Sequence, residues 1–266
     1  MRNAALTCLA LCALCLQSWA GAPMLRVVNT SFSDGETLKY NAYFQWGSLY
    51  IDNLTIETLA REDTYQGEAV YDVRAIARTE RVMHRFYALL DTFEVKMRVS
   101  DMASLWFYQN DIEKNYYGQK RYLYTYTDSS VTIDAYENRN GDVYQGTPTF
   151  TWQFPMDAFC LLFRLRNYDF SEAMPGNRYR FEFLNRGQCE ELHITYKGRD
   201  AITLRDGTVY PDCDKFIFEA SEGTLFSKEN PVSIWVTRDR HHLIVHAEAK
   251  LKIGSAKIDL VEILKL

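Results

Sequence analysis

Apolar and polar side chains alternate with a period of two through most of this 266-residue chain. Phe93, Val95, Met97 and Val99 interleave with Thr92, Glu94, Lys96 and Arg98. Leu192, Ile194 and Tyr196 interleave with Glu191, His193 and Thr195. Val245, Ala247, Ala249 and Leu251 interleave with His246, Glu248 and Lys250. That period puts one set of side chains on each face of an extended strand, one face buried and one wet. About a dozen such runs follow one another, separated by turn signals. Among the signals are Asp34-Gly35, Asn140-Gly141, Pro175-Gly176 and Asp206-Gly207. Connections this short join antiparallel neighbours, because parallel crossovers need a dozen or more residues.

Two segments leave the period. Residues 80–90 place Val82, Phe86, Leu89 and Leu90 on one helical stripe. Residues 157–168 follow Pro155 and carry Phe159, Cys160, Leu162, Phe163 and Leu165. There Asp157 is suited to the N-cap, and Arg164 and Arg166 suit the negative end of the helix dipole. The stretch Glu137–Thr149 is the most polar and turn-rich, read as a long surface loop or a seam between two halves. A long antiparallel sheet has to be closed or covered, because open edges pair with other chains. The expected fold is therefore mainly β: a strongly curved antiparallel sheet or half-barrel with one or two helices packed on its concave face. Such an interior could take an apolar ligand, or its side chains could simply fill the core.

The first twenty residues read as a secretory signal peptide. Arg2 precedes an apolar run from Ala4 to Leu16, and Ser18-Trp19-Ala20 offers small residues for cleavage after Ala20. The mature chain, residues 21–266, is then one β-rich domain with its seam near 137–150. The run is short for a bilayer span, and no second apolar stretch of ~18 residues follows. Removal of the leader leaves 29 Lys+Arg against 35 Asp+Glu, spread along the sequence. An evenly charged, weakly acidic surface argues against nucleic-acid binding, which needs a basic face.

Three cysteines remain after cleavage: Cys160, Cys189 and Cys213. A bridge between Cys189 and Cys213 would suit an exported protein. The alternative is three free, largely buried thiols, since the number is odd and the core large. Without a C-x-x-C there is no zinc knuckle or thioredoxin-type centre. No two glycines lie closer than five positions apart, so the dinucleotide fingerprint is missing, and Gly141 and Gly146 are followed by Thr147-Pro148 rather than Lys-Ser/Thr. G-x-S-x-G and H-E-x-x-H do not occur. No catalytic residue or cofactor is indicated. The one histidine cluster puts His242 and His246 two steps apart on a strand, near Asp239, where the three could hold a metal. A hairpin tip at Asp239 and a polar row through His246 explain the same residues without one. Tyr122, Tyr124 and Tyr126 share a face. They suit cross-strand packing first, a ligand platform second and an outer-membrane girdle third.

Short phrases spread over residues 32–264 give a further lead. They run from Asp34-Gly35-Glu36 with Leu38 and Tyr40, through Trp46-Gly47, Tyr87 with Asp91 and Phe93, and Asp157 with Phe163-Arg164. They continue with Tyr196 and Gly198-Arg199-Asp200, Cys213 with Lys215-Phe216, and Trp235 with Thr237 and Asp239. In this order the chain resembles the exported bacterial family called domain of unknown function 3108, although that family often has Ser where Cys160 stands. The resemblance implies a protein of the periplasm or cell envelope of a Gram-negative bacterium. It also implies a fold similar to that of the LolA and LolB lipoprotein carriers, a curved half-barrel with helices against its inner face. The family has no established activity, so no catalytic residue carries over. The function expected is non-enzymatic binding of a lipid or other apolar ligand. A structural or protein-interaction module of the envelope, with an envelope protein as partner, is the alternative, and a metal-dependent hydrolase using Asp239, His242 and His246 stands behind both.

Overall fold

The computed structural model describes residues 27–79, 88–220, 231–251 and 254–266; within these, the side chains of residues 49, 51–53 and 220 are not described. The leader, its cleavage point and residues 80–87 of the first expected helix lie outside the described residues. Leu89 and Leu90, placed on that helical stripe by the sequence, instead open a strand.

The alternating runs are strands, fifteen of them among the described residues. The first half of the chain supplies β1 (Thr37–Trp46), β2 (Leu49–Tyr65), β3 (Glu68–Thr79), β4 (Leu89–Arg98) and β5 (Ser104–Glu113). It continues with β6 (Tyr116–Tyr126), β7 (Ser130–Arg139), β8 (Asp142–Gly146) and β9 (Thr149–Thr151). A helix, α1 (Ala158–Leu165), follows. The second half adds β10 (Arg178–Asn185), β11 (Gln188–Thr203), β12 (Val209–Ala220), β13 (Val232–Thr237), β14 (Ile244–Lys250) and β15 (Ser255–Lys265). All belong to one sheet in the order β10-β11-β12-β13-β14-β15-β1-β2-β3-β4-β5-β6-β7-β8, with β9 on β7. The ladders between these strands are antiparallel, as short turns require.

The polar stretch Glu137–Thr149 is not a long loop. Asn140 and Gly141 have φ of 52° and 91° and close the tight hairpin between β7 and β8. Positive φ at both central residues matches the twist of the strands, which is why Asn-Gly marks such turns. The hairpin forms one edge of the sheet, and β10 forms the other.

No ladder joins those two edges, so the sheet is strongly curved but not closed. Side chains cross the gap instead. Arg186 clasps Asp142 with its two terminal guanidinium nitrogens, at 2.5 and 2.9 Å. Arg139 donates to Asn185 Oδ1 at 2.6 Å, and the Arg186 amide donates to Glu137 Oε1 at 2.6 Å. The segment before α1 also lies along β10, with Met156 N–H donating to Glu182 O and Leu184 N–H to Met156 O. Side chains thus link the two edges and one bridge at Met156 covers part of β10, which reduces the exposed backbone template that leads to aggregation.

The main core lies inside the curve. Val95, Met97, Phe107, Tyr122, Tyr124, Ile133, Phe216 and Phe218 pack there against Cys160, Leu161, Phe163 and Leu165 of α1. A smaller cluster around Cys213, Trp235, Val245 and Leu260, with Ile202 and Tyr210, forms separately. Tyr122, Tyr124 and Tyr126 of β6 do share the inner face. Tyr122 and Tyr124 meet edge-on at 6.3 Å, and Tyr124 and Tyr126 stack at 6.2 Å.

Among the described residues, Cys160, Cys189 and Cys213 are all free. A Cys189–Cys213 bridge is ruled out by the register. Cys213 lies opposite Asp200 of β11, while Cys189 lies opposite Leu184 at the other end of that strand. The separation is about 35 Å at ~3.3 Å per residue, against the ~6 Å a disulfide spans. Burial pushes the thiols up, Cys160 and Cys189 to about 12 and Cys213 to about 11. Native protein at pH 8 should therefore react only slowly with a thiol reagent, because the thiolate is the nucleophile. The mature chain should yield three thiols in denaturant without reductant. A titre of one would restore the bridge.

Candidate functional site

The helix α1 is held over the concave face by buried polar anchors at both ends. At its start, Asp157 Oδ1 accepts from the Cys160 amide at 2.7 Å, and its Oδ2 accepts from Ser104 Oγ at 2.5 Å. This is the N-cap expected from the sequence, tied in addition to β5. At its end, Arg166 forms a two-pronged ion pair with Glu36 at 2.6 and 2.8 Å. It also donates to the carbonyls of His241 and His242. Arg164 donates to the carbonyls of Asp101 and Met102 at 3.0 and 3.2 Å. The two arginines were expected as cations matching the helix dipole. Instead they are buried, Arg164 at 1% and Arg166 at 3% exposure, and act as clamps.

Between the helix and the sheet lies a cavity of about 330 Å³. Phe159, Leu162 and Phe163 form its roof, with Ile56, Phe93 and Ile258 among the residues of its floor. It exists because several inward positions that could carry a large side chain carry alanine: Ala75, Ala77, Ala158 and Ala247. Few polar side chains face it, and two of these are engaged. Arg166 is held by Glu36, and the amide nitrogen of Gln109 donates to both oxygens of Asp111 at 3.0 and 2.7 Å.

The inner face becomes polar toward the β7–β8 edge. Register places Ala75, Phe93, Gln109, Lys120, Glu137 and Tyr144 in one row across six strands. The neighbouring row runs Ala77, Asp91, Asp111, Gly118 and Arg139. At Gly118 a Cβ would stand 2.7 Å from the Asp111 carboxylate, so a larger residue would have to displace that side chain. Glu137 is fully buried and takes bonds from Tyr122 Oη, the Arg186 amide and Arg139. Burial, with Asp111 and Glu113 close by, pushes Asp91 up to about 7. Burial also raises Asp111 and lowers Lys120.

The residues singled out for a metal are not brought together. Asp239 sits in a turn and accepts from Thr237 Oγ1 and the His241 amide. His242 has φ 42°, precedes β14, and turns its Nδ1 to the Arg166 carbonyl at 2.6 Å. His246 lies on β14, buried, with Nδ1 2.5 Å from Asp259 Oδ1 and its ring edge-on to Trp235. Strand periodicity failed here because β14 begins at Ile244 and the ladder shifts register between Trp235 and Val236. Among the described residues no group of three His, Cys, Asp or Glu side chains could hold a metal ion.

Sequence reasoning missed Glu36, Gln109 and Lys120. Glu36 lies just after a turn, where no periodicity marks it as buried. Gln109 and Lys120 could have been found by extending the inward parity of Phe107 and Tyr122 by one step.

The profile of the family described as "Protein of unknown function (DUF3108)" matches residues 39–261. No curated protein matches the chain. Among solved structures, a beta-barrel-like protein of domain of unknown function DUF1849 from Brucella abortus superposes with a TM-score of 0.53. It is 8% identical, and the match covers 88% of this chain and 98% of that one. A Bacteroides fragilis protein described as exported, with a YmcC-like fold, gives 0.35 at 12% identity, covering 90% and 100% of the two chains. A Parabacteroides distasonis protein described as a lipoprotein gives 0.31 at 11% identity, covering 87% and 98%. No helix of the described residues is long and apolar enough to cross a membrane.

Proposed function

The chain belongs to the DUF3108 family, and on that footing we propose that it is an exported envelope protein that binds an apolar chain, without catalysis, in the cavity beneath α1. The observation that carries this reading is the cavity itself: about 330 Å³, floored by alanines and roofed by Phe159, Leu162 and Phe163. Its size falls at the lower end of small-molecule pockets, ~300–1,000 Å³. The polar side chains on its margin support binding over chemistry. Arg166 and Gln109 are already engaged by carboxylates and are not poised against a substrate. Export rests on the pattern of residues 1–20.

Filling the cavity tests the reading. Ala77 lines the floor at 7% exposure. Ala77→Phe should leave the far-ultraviolet spectrum of the sheet unchanged and abolish uptake of a fluorescent fatty-acid probe. Overpacking should cost ~1–3 kcal/mol of stability. Undiminished uptake by a folded Ala77→Phe protein would place binding elsewhere.

A further inference from the structure

Resting on that reading, we infer that the ligand is a single-chain amphiphile with an anionic head, its chain beneath α1 and its head at Lys120. Lys120 is the neighbour of Gln109 across the β5–β6 ladder, and Gln109 is part of the cavity wall. Adjacent strands lie ~4.8 Å apart, so the Lys120 backbone stands about one strand beyond Gln109, and the lining is within reach of a lysine side chain. Lys120 is partly buried and on the inner face, in the row that also holds Phe93 and Glu137.

The charged groups around it are already occupied. Glu137 is taken by Arg139, Tyr122 and the Arg186 amide. Asp111 is held by Gln109 and Asp157 by Ser104 and the Cys160 amide. Asp91 accepts from the Ile112 amide. Lys120 has no ion pair or hydrogen bond with any of these groups. The carboxylates of Glu137, Asp111 and Asp157 act on the ammonium only at longer range, so an anionic oxygen group in direct contact would supply the charge-assisted bonds that it lacks. The cavity sets the size of the rest. A methylene occupies about the ~30 Å³ share of a water, so the cavity holds on the order of ten carbons, one chain rather than two.

The experiment compares decanoate, decanol and decyltrimethylammonium by calorimetric titration of the purified protein. Charge-assisted bonding predicts that decanoate binds at least about tenfold tighter than decanol, with the cationic probe weakest. Lys120→Met should erase the preference for decanoate while leaving decanol binding intact, and Lys120→Arg should restore it. Equal affinity for the three probes, or a preference for the cation, would overturn the assignment of the head to Lys120 and leave the apolar-chain reading standing. Failure of all three to bind would instead remove the apolar-chain reading. Should Lys120→Met fail to fold, the comparison of the three heads on the unmodified protein decides alone.

Discussion

Replacing Glu36 with Ala is expected to destabilise the fold by about 3–5 kcal/mol, the cost of leaving a buried guanidinium without its carboxylate. Glu36 and Arg166 are 2% and 3% exposed, and their two contacts are short. At ~2–4 °C per kcal/mol for a chain of this size, Tm should fall by on the order of 10 °C. Arg166→Met should be comparably damaging, since it strands the carboxylate. The pair need not itself be a large net source of stability. Desolvating both charges costs much of what their attraction returns, so Glu36→Leu combined with Arg166→Met should recover most of the loss. What the pair secures is position: it fixes the end of α1 against the turn before β1 and so sets the height of the roof over the cavity. Additive losses in the double variant would show that the two side chains act separately.

The second large effect is a pH dependence. Burial pushes Asp157 up to about 6, against the bonds from Ser104 and the helix amides, which pull it down. A carboxyl whose folded value lies above its unfolded one of ~3.9 favours folding when protonated. Its contribution is complete below about pH 4 and is lost as pH rises to about 6, beyond which this group adds no further change. A shift of roughly two units corresponds to about 3 kcal/mol across that window. Asp157→Asn keeps an N-cap acceptor and carries no charge, so its unfolding free energy should fall by about 3 kcal/mol less than that of the unmodified protein from pH 4 to 6.5, the slope that remains being that of Asp91 and Asp111, and should exceed it at neutral pH. Asp157→Ala should instead lose ~1–2 kcal/mol of capping at low pH and orphan the Ser104 hydroxyl. An unchanged pH slope in Asp157→Asn would assign the titration to another group, Asp91 foremost.

Much of the architecture was legible because its physics is local. Strand alternation needs only the order of residues, and Asn140-Gly141 or Asp157 announce a turn or a cap from one or two positions. The curved antiparallel sheet and the helix at 158–165 follow from such signals. Features set by distant contacts were not legible. Arg164 and Arg166 carry ordinary helix-end signals, and only the return of Glu36, Asp101 and Met102 to the same place buries them. The His242–His246 pairing failed because His242 lies before β14, at positive φ, and the ladder shifts register at the start of that strand, to both of which strand parity is blind. The cavity was foreseeable as a class, since a curved sheet with a helix inside encloses something. Its place was not, because it depends on Ala75 and Ala77 of β3, Ala158 of α1 and Ala247 of β14 converging from three separate elements. The closure of the β8 and β10 edges by Arg186 and Asp142 likewise joins residues 44 positions apart.

Native mass spectrometry of protein recovered from cells without detergent, before and after organic extraction, tests the central claim most directly. The account predicts one amphiphile per chain, lost on extraction, regained on adding decanoate, and missing from Ala77→Phe. A bare chain before extraction that takes up no decanoate afterwards would contradict it.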